Sequence, residues 1–250
     1  MPRKLGQHFL VRDAILEKLA IAACGEHAPR VIEIGPGRGA LTRHLLPRTD
    51  ELHVVELDQG LAARLKSKFA AEPKLQVHIA DVLGTDLAQW GGAVIAGNLP
   101  YYITSPIIEE FLALDERFPL AVFLVQWEVA ERINAKPGTR AYGYLTVATQ
   151  LVCDVELISK VPASAFIPPP KVDSGAVKLV RKNELPKEKT ELLQFVGRCF
   201  GHKRKTLRNN LRPFYGKASD ALPESGLRAE QLAIDRFIDL YERLSYTDTS

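Results

Sequence analysis

Five short segments, VIEI, LHVVE, LQVHI, AVIAGN and PLAVFLVQ, are apolar at nearly every position rather than at every second one. A strand without a polar face must be covered on both sides, which is the condition of a parallel sheet between two helical layers. Helical segments stand between these strands. Asp13 opens AILEKLAIAA with the character of an N-cap, ALTRHLL follows a glycine-rich turn, QGLAARLKSKFAA follows the second strand, and SPIIEEFLAL separates the fourth from the fifth. The alternation predicts a doubly wound α/β domain.

Past Val129 the pattern changes. WEVAERINA reads as helix, GYLTVATQLVCDVELIS as a long β-rich stretch, and DSGAVKLVRK as a last strand, so the sheet is expected to close with an antiparallel pair. VPASAFIPPPKV is too proline-dense for a helix or a ladder. From KNELPKEKTE onward only helical spacing remains, which places a domain boundary between residues 182 and 183: a catalytic-type α/β domain over 1–182 and a small all-helical domain over 183–250. At 46% hydrophobic and 25% charged residues the chain is neither disordered nor fibrous. It has no leader-like apolar segment and no run of bilayer length, so a cytoplasmic protein without membrane contact is expected. Cys24, Cys153 and Cys199 stand far apart in no metal-ligand spacing and read as reduced thiols, with no metal site.

The turn after the first strand is Glu33-Ile-Gly-Pro-Gly-Arg-Gly39. Glycines here let a strand turn sharply into a helix whose exposed N–H groups face an anionic or adenosyl ligand. Glu56 ends the second strand, where a carboxylate can hold both hydroxyls of a ribose, and Asp81 ends the third, within reach of an adenine amine. Three strand ends thus converge on one adenosine-like ligand. The glycine spacing is GxGxG, whereas the pyrophosphate fingerprint is GxGxxG.

After the fourth strand comes Gly97-Asn98-Leu99-Pro100-Tyr101. The Asn98 side-chain oxygen and a neighbouring backbone carbonyl are two acceptors suited to a primary amine. Pro100 fixes the turn and, by holding Leu99 extended, aims that residue's carbonyl inward. Tyr101 offers a face on which a flipped base can stack. Two acceptors holding the hydrogens of an adenine amine out of the ring plane localise its lone pair, so positioning supplies most of the catalysis and no strong base is required.

The net charge of +3 is unevenly spread. Seven basic residues and no acid lie between Arg198 and Lys217, which leaves the rest of the chain net acidic. Arg204, Arg208 and Arg212 recur every four residues, a stripe on a helix whose other side carries Leu207 and Leu211. With Lys203 and Lys205 they form the expected footprint of a polyanion.

The strings GQHFL (6–10), EIGPGRG (33–39), ELD (56–58), GNLPY (97–101), EVAER (128–132), YGYLT (142–146), FIPPPKV (166–172) and KRKTLRNNL (203–211), with the Asp81 strand end, resemble the ribosomal RNA adenine N6,N6-dimethyltransferases over nearly the whole chain. The likeness is to the small-subunit branch, which dimethylates two adjacent adenosines in a hairpin loop near the 3′ end of 16S rRNA. The resemblance implies a seven-stranded, mostly parallel S-adenosylmethionine-dependent methyltransferase fold, acting as a monomer on the small ribosomal subunit or its precursor. It implies that His8, Leu10, Gly35, Gly37, Glu56, Asp81 and Asn98 hold S-adenosylmethionine. Asn98, Leu99, Pro100 and Tyr101 then act on the adenine, with Phe166 stacking on its other face. Three positions depart from the family pattern, Tyr102, Trp127 and Tyr144, where an amide and two basic residues are usual. They motivate one alternative, a noncatalytic RNA-binding assembly factor; another is a methyltransferase for large-subunit RNA.

Overall fold

The computed structural model describes residues 8–184 and 188–245, so Gly6 and Gln7 of the first family string and the outer ends of both expected domains lie outside it. The strands are β1 (Phe9–Leu10), β2 (Ala28–Ile34), β3 (Thr49–Glu56), β4 (Leu75–Ile79), β5 (Val94–Asn98), β6 (Leu120–Gln126), β7 (Cys153–Val161), β8 (Phe166–Ile167) and β9 (Ser174–Arg181). The helices are α1 (Asp13–Cys24), α2 (Thr42–Leu45), α3 (Gln59–Lys68), α4 (Thr104–Ala113), α5 (Trp127–Ile133), α6 (Tyr144–Val152), α7 (Lys189–Cys199), α8 (Leu207–Tyr215) and α9 (Ile234–Ser245).

Seven strands form one sheet in the order β4-β3-β2-β5-β6-β9-β7. The pairs β4–β3, β3–β2, β2–β5 and β5–β6 are parallel, and β6–β9 is antiparallel, as the change of pattern past Val129 leads one to expect. The continuous apolar runs are explained by burial on both faces. In β6, Val122 and Leu124 enter the cluster built around α1, with Leu16, Leu19, Ala20 and Val31. Phe123 between them points the other way and meets Phe111 of α4 edge-on at 6.2 Å. Period-two alternation thus survives, but both phases are apolar because helices cover both faces.

Chain contacts divide the protein into one unit of residues 1–130 and 154–181 and a second of 131–153 and 182–250. The sequence places the boundary near the last of these crossings; the structure adds the excursion 131–153 to the helical unit. The second unit has its own core, in which Phe200 stacks on Phe237 at 5.7 Å, Phe195 meets Tyr241, and the Tyr142 hydroxyl donates to the Leu232 carbonyl at 2.8 Å.

Three expectations about elements are corrected. GYLTVATQLV is a helix, α6, and only the following segment is strand. Leu145, Thr146, Val147, Ala148, Thr149, Leu151 and Val152 are all buried, so a helix enclosed on nearly every side shows no amphipathic period and its β-branched residues imitate a strand. The helix start is held by Thr146, whose hydroxyl accepts from the Gly143 N–H and donates to the Arg132 carbonyl. Second, the proline-dense segment does join a ladder: β8 pairs antiparallel with β1, Phe9 opposite Ile167 and Leu10 opposite Phe166. The run of three prolines, which cannot donate, begins one residue later, at Pro168. Third, Asp13 is the first residue of α1 rather than its cap, and its carboxylate is taken by Arg43 and by His44 Nε2 at 3.1 Å.

Candidate active site

Parallel pairing sets the carboxyl ends of β2, β3 and β5 side by side, with Ile34 opposite both Val55 and Gly97. The three glycines of the following turn have φ of 65° (Gly35), 56° (Gly37) and 73° (Gly39). These values lie in the left-handed region that only glycine enters without strain. The turn is pinned by Gly35 N–H to the Val55 carbonyl at 3.0 Å and Gly39 N–H to the Pro36 carbonyl at 2.8 Å. A Cβ on Gly37 would stand 3.0 Å from the Phe9 ring, so the glycine also lets β1 close over the turn. Gly97 serves a different need, since a Cβ there would lie 2.5 Å from the Ile34 carbonyl.

Two carboxylates line the resulting cleft. Glu56, 6% exposed, accepts the Gly37 N–H on one oxygen at 3.0 Å and the Asp58 N–H on the other at 2.9 Å. Burial raises its carboxyl above the usual range, against the pull of those N–H groups. Glu33 is deeper, 1% exposed, and accepts from the Thr42 hydroxyl at 2.6 Å. Burial pushes its carboxyl up to about 8, with the nearby charge of Glu56 acting the same way. Neither pairs with a cation among the described residues. Two buried acids without a cationic partner among the described residues suit a ligand that brings hydroxyls. With its open mouth included, the cleft measures about 740 Å³.

The far wall is the segment after β5. The Asn98 side-chain N–H donates to the His8 carbonyl at 3.1 Å, which commits the nitrogen of that amide, while its Oδ1 accepts no hydrogen bond among the described residues. The Leu99 N–H donates to the Leu124 carbonyl, and the Pro100 carbonyl is taken by the Ile103 N–H and the Thr104 hydroxyl, both at 3.1 Å. The Leu99 carbonyl has no hydrogen bond among the described residues. Two acceptors, Asn98 Oδ1 and Leu99 O, are therefore uncommitted on adjacent residues. The Tyr101 ring is fixed at both ends: its hydroxyl shares a 2.8 Å hydrogen bond with the buried Ser174, and the ring stacks on His8 at 5.8 Å and 27°. His8 in turn donates from Nδ1 to the Pro168 carbonyl at 2.8 Å. Burial holds the Tyr101 phenol above its ordinary pKa, so the ring is a neutral platform.

Of the residues expected here, His8, Leu10, Gly35, Gly37, Glu56, Asn98, Leu99, Pro100 and Tyr101 line one cleft. Two do not. Asp81 lies two residues beyond the end of β4, exposed, where its carboxylate caps the Leu83 N–H at 3.1 Å. Phe166 is a core residue, 2% exposed and paired through its backbone to Leu10. It packs in the same core cluster as Leu10, and in this structure its ring offers no face to a base. The sequence reading set Glu33 apart only as a motif letter; its burial beneath the cleft was concealed by its place in an apolar strand. Phe9, with the Arg38 guanidinium 4.2 Å over its ring, was missed because a two-residue strand has no period to detect. Among the departures, Tyr102 is 59% exposed beside Tyr101, and Trp127 lies under the Lys160 ammonium at 4.8 Å.

In the helical unit, Leu207 and Leu211 are fully buried on α8, and Arg208 and Arg212 are exposed, as the four-residue spacing predicts. Arg204 departs from the stripe: it precedes the Thr206 cap and sits in a turn with Lys203 and Lys205. An acid from outside the basic stretch, Asp220, stands 3.9 Å from Arg208.

The sequence profile described as "Ribosomal RNA adenine dimethylase" matches residues 2–245. Ribosomal RNA small subunit methyltransferase A of Acidobacterium capsulatum is 39% identical over 255 residues, spanning 96% of this chain and 90% of that protein. Among solved structures, a dimethyladenosine transferase from Plasmodium falciparum superposes with a TM-score of 0.82 at 27% identity, covering 96% of this chain and 98% of the other. The 23S rRNA methyltransferase ErmE superposes with a TM-score of 0.72 at 28% identity, covering 95% and 99%.

Proposed function

The chain belongs to the ribosomal RNA adenine dimethylase family, and from that premise we propose that it transfers methyl groups from S-adenosylmethionine to the N6 amines of two adjacent adenosines near the 3′ end of 16S rRNA in the small ribosomal subunit. The observation that carries this reading is the pair of uncommitted acceptors, Asn98 Oδ1 and Leu99 O, beside a cleft with two buried acids.

S-adenosylmethionine, when bound, supplies a methyl carbon made electrophilic by its sulfonium. The residues present suit it: Glu56 for the ribose hydroxyls, Gly35 and Gly37 for close backbone approach, and His8 and Leu10 for a wall. Asp81, on its exposed turn, remains the expected partner of the cofactor's adenine amine. Asn98 Oδ1 and Leu99 O accept the two hydrogens of the target amine and turn its lone pair out of conjugation. Tyr101, locked by Ser174 and His8, stacks on the base without needing to be ordered on binding. The amine loses its proton readily once methylated, so this step needs no strong base. Water can take that proton. Lys203, Arg204, Lys205, Arg208 and Arg212 hold the RNA backbone.

Incubation with labelled S-adenosylmethionine and undermethylated small subunits tests the proposal, with mass spectrometry locating the modified nucleotides. Dimethyladenosine at two adjacent positions is expected. Modification of large-subunit RNA instead would favour the reading suggested by the likeness to ErmE. No transfer by a chain that binds the cofactor would favour a noncatalytic assembly factor.

A further inference from the structure

Within the helical unit, α7 and α8 enclose a second cleft, about 1000 Å³ with its open mouth, lined by Gln194, Arg198, Lys205, Asn209 and Phe214 among others. Phe214 is 56% exposed, an unusual position for a large apolar ring on a strongly basic surface. The Arg198 guanidinium stands 4.7 Å over that ring and donates to the Tyr215 hydroxyl at 2.8 Å. It makes no ion pair with a carboxylate among the described residues, so its charge remains available. The lining is mostly apolar, and two further features add polar atoms to it. Pro213 lies inside α8 and has no N–H to give to the carbonyl of Asn209 four residues earlier. The side-chain amides of Asn209 and Gln194 stand on the same walls.

The rim is rigid. Asn210, 5% exposed, accepts from the His202 N–H at 3.1 Å and donates to the Cys199 carbonyl at 2.8 Å and the His202 carbonyl at 3.2 Å. These bonds clamp the turn that carries Lys203, Arg204 and Lys205. A stacked arginine–aromatic pair, amide edges and flanking cations match an unpaired ribonucleotide: base on the ring, hydrogen-bonding edge on the amides, phosphate on Lys205. A duplex offers no free base face and fits only the cations.

We infer that this cleft binds a single unpaired nucleotide of the substrate RNA, so the helical unit recognises a looped-out base as well as backbone charge. The inference rests on the reading of the chain as an RNA methyltransferase. It is tested with the full chain by fluorescence anisotropy on a labelled, unstructured RNA oligonucleotide and on an RNA duplex of equal length. Phe214→Ala is expected to weaken single-strand binding by about 5- to 150-fold, the range of one lost base–aromatic stack, and duplex binding by less than about twofold. Phe214→Trp should restore most of the loss. Lys205→Ala should weaken both ligands and lower the salt dependence of each. The inference is overturned if Phe214→Ala, with an unchanged unfolding midpoint, leaves single-strand affinity intact or weakens both ligands alike. It fails equally if the wild-type chain does not bind the single strand. Methyl transfer by the wild type, run in parallel, separates the two claims. Transfer without a Phe214 effect removes the nucleotide cleft alone, and a Phe214 effect without transfer removes the enzymatic reading alone.

Discussion

Glu33 gives the sharpest test of how the cleft is built. It is 1% exposed, its carboxyl accepts from the Thr42 hydroxyl, and burial pushes that carboxyl up to about 8 from an ordinary 4.5. The native protein therefore holds a proton that the unfolded chain releases above about pH 4.5. Where the folded state binds more protons, stability falls as pH rises, by about 1.4 kcal/mol per pH unit for one proton. The contribution is fully present below the unfolded value and is lost progressively until the folded value is reached. Between about pH 5 and pH 7 the loss is about 2–3 kcal/mol. Glu33→Gln keeps an oxygen that can accept from Thr42 and carries no titrating proton, so it lacks this slope. Glu56 is shifted in the same direction, and its slope is retained in both chains. Urea unfolding of wild type and variant at about pH 5, 6 and 7 reads the difference directly. The variant should gain about 2–3 kcal/mol on the wild type across that span. A difference that stays constant with pH would refute the argument, because it would mean that Glu33 is ionised in the native state.

Other outcomes follow from the same geometry. Asn98→Ala removes the side-chain acceptor, and transfer should fall by about 10²- to 10³-fold in single-turnover assays run at saturating cofactor. Gly39→Ala places a Cβ 2.6 Å from the Phe69 ring at a φ of 73°, and should cost about 2–4 kcal/mol in denaturant unfolding. Tyr101→Phe keeps the stacking face and strands the buried Ser174 hydroxyl, so it should lower stability by about 1–3 kcal/mol with transfer changed only a few-fold. Replacing Arg204 and Arg212 with alanine should reduce the slope of log affinity against log salt by about 0.7–0.9 per lost phosphate contact, measured on small-subunit RNA.

Legibility in the sequence followed burial. The central strands were readable because apolar residues on both faces leave a continuous run, and the glycine turn because its three positive φ angles can be met only by glycine at those places. The same rule misled at α6, where burial on nearly every side erased the helical period and a helix looked like a strand. It hid β1 and β8, too short to carry any period, although their pairing is what brings His8 and Leu10 to the cleft. Phe166 shows a further limit: a family string names a position, but its burial in the core comes from packing.

What the residues settled by themselves is the chemistry on offer: a glycine turn, acids near strand ends, an amide–proline–aromatic segment and a basic stretch. Those are local matters of backbone freedom and side-chain type. Tertiary structure alone decided which of these groups meet and in what state. Parallel register set Glu56, Gly35 and Asn98 at one edge; burial left Glu33 protonated near neutral pH; and the His8 carbonyl, ninety residues away along the chain, took the Asn98 nitrogen and left its oxygen to the substrate. Register, desolvation and long-range hydrogen bonds depend on what lies beside a residue in space, which its own stretch of sequence does not carry.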